Sequence, residues 1–189
     1  MALTPYEQAK EIVRREGGWV DHKNDRGGAT NYGISLRYAK GIGLDNDGDG
    51  DTDADDIRLV TVDQAIDLYL EDFFRAPKID RFPEAIQPVL FDMAVNAGGG
   101  GAIKILQTML GVIHDAVPDK VSDCGRPDGA AGRKTFRAFK EAWDLMGAKV
   151  IVNAYCDERK DFYRELVRRR PSQKVFLRGW LHRADEFYI

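Results

Sequence analysis

Thr4-Pro5-Tyr6-Glu7-Gln8-Ala9-Lys10-Glu11-Ile12-Val13-Arg14-Arg15-Glu16-Gly17-Gly18-Trp19 is the stretch whose pattern decides the N-terminal architecture. Thr4 supplies an N-cap hydroxyl, Pro5 suits the first helical position, and Glu7 can close a capping box, so a helix should start at Pro5. Ala9, Ile12 and Val13 recur at the spacing of one helical face, and Glu16 falls on the next turn of that face. Gly17 ends the helix. The Glu16 side chain is therefore expected toward the core, near the partly negative end of the helix dipole, where a protonated acid is favoured. A carboxylic acid in that state can hand its proton to a leaving oxygen.

The chain continues Asn24-Asp25-Arg26-Gly27-Gly28-Ala29-Thr30-Asn31-Tyr32-Gly33-Ile34-Ser35. Gly27-Gly28 marks a tight turn, and Thr30, Tyr32 and Ile34 alternate as in a short strand, which predicts a small β-hairpin beside the helix end. Asp25 and Thr30 would then lie near its turn, where together they can orient a water. Asn-Asp-Arg-Gly is also ordinary turn chemistry, so Asp25 has a structural role open to it as well.

Glu16-Gly17-Gly18-Trp19 together with Asp25 to Ser35 resembles the N-terminal signature of glycoside hydrolase family 108, the N-acetylmuramidases of phage endolysins and bacterial secretion-activator proteins. Later segments extend the resemblance. Phe91-Asp92-Met93-Ala94-Val95-Asn96-Ala97-Gly98, Leu106-Gln107, Asp128 to Thr135 and Phe176 to Arg183 are similar to the peptidoglycan-binding region usually found with that domain. The resemblance implies a lysozyme-like fold and identifies Glu16 as the catalytic glutamate. In the wider phage-type lysozymes an aspartate and a threonine follow the glutamate, and Asp25 and Thr30 are similar in order. The interval from Asp25 to Thr30 here has four residues, against the usual five.

A second chemical signal lies at Asp45-Asn46-Asp47-Gly48-Asp49-Gly50-Asp51-Thr52-Asp53-Ala54-Asp55-Asp56. With Asp45 as position 1, Asp47, Asp49, Asp51, Asp53 and Asp56 take the ligand positions of an EF-hand loop, and Gly50 falls where the chain must turn sharply. Asp51 would offer its backbone carbonyl, and Asp53 would act directly or through water. Position 12 is Asp rather than Glu, and position 8 is Thr52 rather than an apolar residue; aspartate at position 12 resembles the calcium loops of dockerin modules. A structural calcium ion is expected here, against the alternative of a solvated acidic loop, and no cofactor is expected for catalysis. The formal net charge is −3, and the seven aspartates of this segment account for it, so the rest of the chain is positive. That balance suits an anionic cell envelope.

Elsewhere the patterns are helical. Thr61-Val62-Asp63-Gln64 opens a segment with Ala65, Ile66, Tyr69, Leu70 and Phe73 on one face. Val89 to Ala97, Ile103 to Ile113, Phe136 to Met146 and Val150 to Leu166 mark four more helices, with a loop from about His114 to Arg133 and a stop near Pro171. The class is thus mainly α (α+β), with a catalytic lobe over residues 1–85 and a helical peptidoglycan-binding region over 86–189 packed on it. Asn96 and Gln107 are candidates to hydrogen-bond sugar amides or hydroxyls, with Trp19 and Tyr32 as stacking surfaces; buried structural use is equally open to each. Cys124 and Cys156 have no metal or redox spacing and are expected as packed or free thiols.

No apolar run reaches membrane-spanning length, no signal peptide is visible, and neither a strongly basic balance nor a recognition motif supports nucleic-acid binding. The expectation is a monomeric peptidoglycan hydrolase made in the cytoplasm and reaching the wall by holin-like release. It would cleave the β-1,4 bond between N-acetylmuramic acid and N-acetylglucosamine. A lytic transglycosylase, which also needs one glutamate, is the nearest alternative. A non-catalytic wall-binding or secretion-regulating protein is the alternative from another class.

Overall fold

A computed structural model describes residues 3–21 and 28–189, which divide into two compact units, one ending at Glu71 and the other running from Asp72 to Ile189. The fold is mainly helical with one small hairpin, as the lysozyme-like α+β class requires.

The first unit begins with α1 (Pro5–Glu16), started by a complete Thr4/Glu7 capping box and stopped at Gly17 (φ 79°). The hairpin follows as β1 (Thr30–Asn31) and β2 (Ile34–Ser35), with Thr30 opposite Ser35 and Asn31 opposite Ile34. The turn between β1 and β2 is Tyr32-Gly33, and Gly27 of the expected Gly27-Gly28 turn lies outside the described residues. Tyr32 (φ 50°) and Gly33 (φ 81°) both have positive φ, the geometry of a two-residue primed turn whose twist matches the flanking strands. The strand expected through Thr30, Tyr32 and Ile34 is thus folded back on itself, while Val20 pairs with Thr30 through two 2.8 Å backbone hydrogen bonds.

Two short helices, α2 (Leu36–Ile42) and α3 (Ala54–Leu59), flank the acidic loop, and α4 (Val62–Leu70) packs on α1. Ala9, Ile12 and Val13 of α1 and Ala65, Ile66 and Tyr69 of α4 are buried, the faces expected from periodicity.

The second unit continues from α4 through a π-helical turn (Glu71–Arg75) and is built on α5 (Gln87–Ala97), α6 (Gly99–Ala116), α7 (Arg133–Arg169) and α8 (Lys174–Asp185). Each packs on the next. The segment α7 is two helices joined at Gly147, whose φ 80° and ψ 165° interrupt the helical path between the two stretches read from the sequence. Its core includes Leu90, Phe91, Met93, Ile103, Leu106, Leu110, Ile151 and Tyr155, all buried, and each large side chain removed from water there contributes about 1.5–3 kcal/mol. The apolar core surrounds one charged node. Asp92 accepts from Arg159 Nη2 at 2.5 Å on one oxygen and from Arg183 Nε and Nη2 at 2.8 and 2.6 Å on the other, tying α5, α7 and α8 together. No helix among the described residues is long and apolar enough to cross a membrane.

Candidate active site

Glu16 is the last residue of α1 and is exposed, not turned into the core as its place in the helical pattern suggested. Termination of the helix at Gly17 frees the carboxylate toward solvent, while the aliphatic stem remains packed. A Cβ placed on Gly33 would lie 3.1 Å from Glu16 Cγ, 3.3 Å from Glu16 Cβ and 2.2 Å from the Tyr69 hydroxyl. The hairpin turn, the end of α1 and the buried Tyr69 of α4 therefore converge within contact distance, and only a residue without a side chain fits among them. Tyr69 has its phenol pushed up to about 12, by burial and then by the nearby charge of Glu16, so it is protonated across the working range of the site.

Thr30 is half-buried on β1 and held on both edges, by Val20 and by Ser35. Tyr32 is half-buried at the turn next to Gly33. Trp19, also half-buried, has the Arg58 guanidinium 4.9 Å above its ring centroid, a cation–π contact that fixes the indole. Asp25 lies outside the described residues. The structure thus gathers Glu16, Thr30, Trp19 and Tyr32 into the first unit, around one hairpin.

Asn31, which carried no role in the sequence reading, anchors that hairpin. Its buried amide nitrogen faces the carbonyls of Ile57, Arg58 and Val60 at 3.1, 3.4 and 3.2 Å. These carbonyls lie at the end of α3, where the last acceptors of a helix need partners beyond the helix; Ile57 also accepts from the Val60 N–H at 3.2 Å. The partners lie 26 to 29 residues away, so no local pattern marks the residue.

Asn96 and Gln107 belong to the second unit. Asn96 donates back along α5 to the Asp92 carbonyl at 2.7 Å. Gln107 is buried and fully committed. Its amide nitrogen lies 2.8 Å from Asp128 Oδ1 and 3.1 Å from both the Ala130 carbonyl and Thr135 Oγ1, and its oxygen accepts from the Gly129 N–H at 2.9 Å. Those bonds leave nothing to offer a sugar; Gln107 pins the loop from Asp128 to Thr135, and the N–H of Ala130 with the Gln107 amide holds the Asp128 carboxyl below its ordinary range. A groove of about 390 Å³ opens in the same unit, lined by Pro77, Lys78, Gly99, Gly100 and Ala130 among others.

The acidic loop is ordered by its own backbone. Asp45 accepts from the N–H groups of Gly48 and Gly50, Asp47 from that of Asp49, and Asp49 from that of Asp51. Asp45, Asp47 and Asp49 bring carboxylate oxygens within 4.8 Å of one another, and Asp51, Asp53 and Asp56 form a second such group. Asp56 is buried and accepts from the N–H of Asn46 at 2.6 Å and of Asp53 at 2.7 Å, closing the capping box of α3. Those donors hold its carboxyl below the usual range, whereas the neighbouring Asp49 charge, with burial, pushes Asp51 up. Cys124 and Cys156 are separate buried thiols.

The family model for glycosyl hydrolase 108 matches residues 9–98, and that for a predicted peptidoglycan domain matches residues 101–185. This chain belongs to the glycosyl hydrolase 108 family. It carries the associated C-terminal peptidoglycan domain, and the two models together span nearly the whole chain. Among solved structures it is similar to SagA of Brucella abortus, with 27% identity, a TM-score of 0.66, and coverage of 94% of this chain and 87% of that one. No curated protein matches it. As a glycosyl hydrolase 108 member with a peptidoglycan domain, the protein is a glycoside hydrolase of peptidoglycan.

Proposed function

We propose that the enzyme is an N-acetylmuramidase, hydrolysing the β-1,4 bond between N-acetylmuramic acid and N-acetylglucosamine and thereby lysing the bacterial wall. Glu16 protonates the glycosidic oxygen, and a water held by Asp25 and Thr30 attacks the anomeric carbon, with inversion. Trp19 and Tyr32 offer ring faces to the sugars. The observation that carries this reading is the placement of Glu16: a carboxyl group at a helix end, open to solvent, with its stem beside the Gly33 turn, where Tyr69 of the same unit also comes close. An acid held in that way needs no reorganisation when substrate arrives.

Glu16→Gln keeps the shape and removes the proton. It is expected to abolish turbidity clearing of purified peptidoglycan while sedimentation with peptidoglycan persists; clearing at the wild-type rate would remove Glu16 from the mechanism. Mass spectrometry of the wild-type digest should show reducing ends, and anhydromuramyl ends would make the enzyme a transglycosylase instead.

We also propose that the loop from Asp45 to Asp56 holds a structural calcium ion. Three carboxylates in alternate positions converge as an oxygen-ligand site would use them, and Asp56 retains acceptor capacity beyond its backbone donors Asn46, Asp47 and Asp53. The ion would lower the repulsion among neighbouring aspartates and has no part in bond cleavage.

A further inference from the structure

Arg58 lies in the last turn of α3, and the catalytic hairpin and the strand end beside it hold the residue from two directions. At the main chain, the Asn31 amide on β1 reaches the Arg58 carbonyl at 3.4 Å, alongside its bonds to the Ile57 and Val60 carbonyls. At the side chain, the guanidinium carbon stands 4.9 Å from the ring centroid of Trp19. Trp19 comes three residues after Glu16 and next to Val20, which pairs with Thr30. Backbone and tip are therefore both tied to the segments that carry the candidate catalytic residues.

A guanidinium placed over a ring spends its face and keeps its edge. Its five N–H donors lie in the plane of the group, so a cation–π contact leaves them available to a planar carboxylate. The protein itself hardly uses them. The Arg58 side chain is 64% exposed, and its one ionic partner among the described residues is Asp55 at 3.7 Å, beyond hydrogen-bond reach and itself 68% exposed. An exposed pair of that kind adds little to stability. Arg14 and Arg15 of the same unit are committed by comparison, since both donate to Glu11 at 2.8–3.0 Å. Arg58 is thus a cation fixed in place with its donors in water, beside the hairpin of a glycan-cleaving site.

We propose that Arg58 is a specificity residue, binding a carboxylate carried on the muramyl sugar and so favouring charged glycan over neutral glycan. The assignment rests on the muramidase reading of the Glu16 site. In that reaction the cleaved sugar bears a lactyl ether whose carboxyl group is either free or extended into a stem peptide with carboxylates of its own. N-acetylglucosamine has no such group. A cation fixed near the acid therefore meets negative charge when a muramyl residue occupies the site, and its charge-assisted N–H bonds form with little ordering cost because the side chain is already held. Were Arg58 only a cover for the indole, its loss would not depend on the charge of the substrate.

The experiment uses peptidoglycan and peptide-free glycan strands, each native and with its carboxylates converted to neutral amides by carbodiimide and glycinamide. Reducing-end release is measured for wild type, Arg58→Gln, Arg58→Lys and Lys10→Gln, the last removing another exposed cation of the same unit. Salt is kept at about 0.15 M, where charges beyond ~8 Å are largely screened. Wild type is expected to favour native over amidated peptidoglycan about fivefold, through KM, the scale of an exposed charge contact. Arg58→Gln should bring that ratio close to one with melting temperature unchanged, Arg58→Lys should recover most of it, and Lys10→Gln should leave it at the wild-type value. A preference that persists in peptide-free strands assigns the lactyl carboxylate, and one confined to intact peptidoglycan assigns the stem peptide. A wild type indifferent to amidation, an unchanged ratio in Arg58→Gln, or an equal loss of it in Lys10→Gln overturns the proposal and leaves the muramidase reading standing. Release of no reducing ends by wild type from any of the polymers overturns that reading, and the role of Arg58 with it.

Discussion

Replacing Gly33 by alanine tests whether the hairpin turn sets the position of the acid. Two costs follow from the geometry. Alanine at φ 81° adopts a conformation that L-residues avoid, at about 1–3 kcal/mol. The new methyl would also stand 2.2 Å from the Tyr69 hydroxyl and 3.1 Å from Glu16 Cγ, so the phenol must retreat by more than an ångström to restore ordinary contact. Overpacking of that kind adds about 1–3 kcal/mol, for a total of about 2–6 kcal/mol. That is a large share of the stability of a domain this size. Gly43→Ala is the control, because Gly43 also has positive φ (66°) but a methyl added there would meet nothing within 4 Å, and it should lose only the conformational part. Urea unfolding gives the stability difference, and turbidity clearing at a temperature where both variants are folded gives the catalytic one. Displacing the Glu16 stem is expected to slow clearing by about a hundredfold in Gly33→Ala, the scale of an ångström misplacement, and to leave Gly43→Ala near wild type. Adding Tyr69→Phe to Gly33→Ala removes the clashing oxygen and should recover part of both losses, with Tyr69→Phe alone as reference. Equal stability and equal clearing in the two glycine variants would refute this role of the turn.

If the Asp45 to Asp56 loop binds calcium, the melting temperature rises with calcium relative to chelator, and Asp45→Ala abolishes the difference; no shift in wild type leaves the loop merely acidic. Asp92→Ala strands two arginines, one of them fully buried, and should cost about 3–5 kcal/mol in urea unfolding; a cost below about 1 kcal/mol would show the node to be dispensable. Burial pushes the Cys156 thiol up to about 12, so native protein at pH 8 should react with a thiol reagent far more slowly than unfolded protein. Because the folded value lies above the unfolded one of about 8.5, stability is full below that pH and falls as pH rises toward about 12; Cys156→Ala should flatten this alkaline decline in melting temperature.

Much of the architecture is written locally. Thr4, Pro5 and Glu7 start α1 and Gly17 stops it, all through groups within a turn of one another, and the helices with one clean apolar stripe emerge where expected. Failures occur where a distant partner decides. The β1–β2 turn falls at Tyr32-Gly33, where the Tyr69 hydroxyl, 36 residues on, leaves no room for a side chain at Gly33, a constraint no local pattern displays. Gln107 on an apolar helix is compatible with a sugar or with a loop until the carboxylate of Asp128 is seen beside it. Helix α8 is hard to read from sequence because its large apolar residues do not form one buried stripe; Val175 and Phe176 face water. Glu16 was legible as the acid candidate, but its exposure was not, since the last residue of a helix follows the cap as much as the periodicity.

The Asn31 amide has a bearing on how the first unit can be altered. It grips the end of α3 rather than anything in the acidic segment, so the hairpin senses the return of the chain and not its route. From Asp47 to Asp51 the segment is exposed, and its length can change at small entropic cost, with loss of the proposed calcium site, provided that Asn46 still meets Asp56 and Gln64 and that α3 comes back to present its last carbonyls to Asn31. The excursion is in effect a socketed part: a place where another loop can be grafted a short helix away from the catalytic hairpin without rebuilding it.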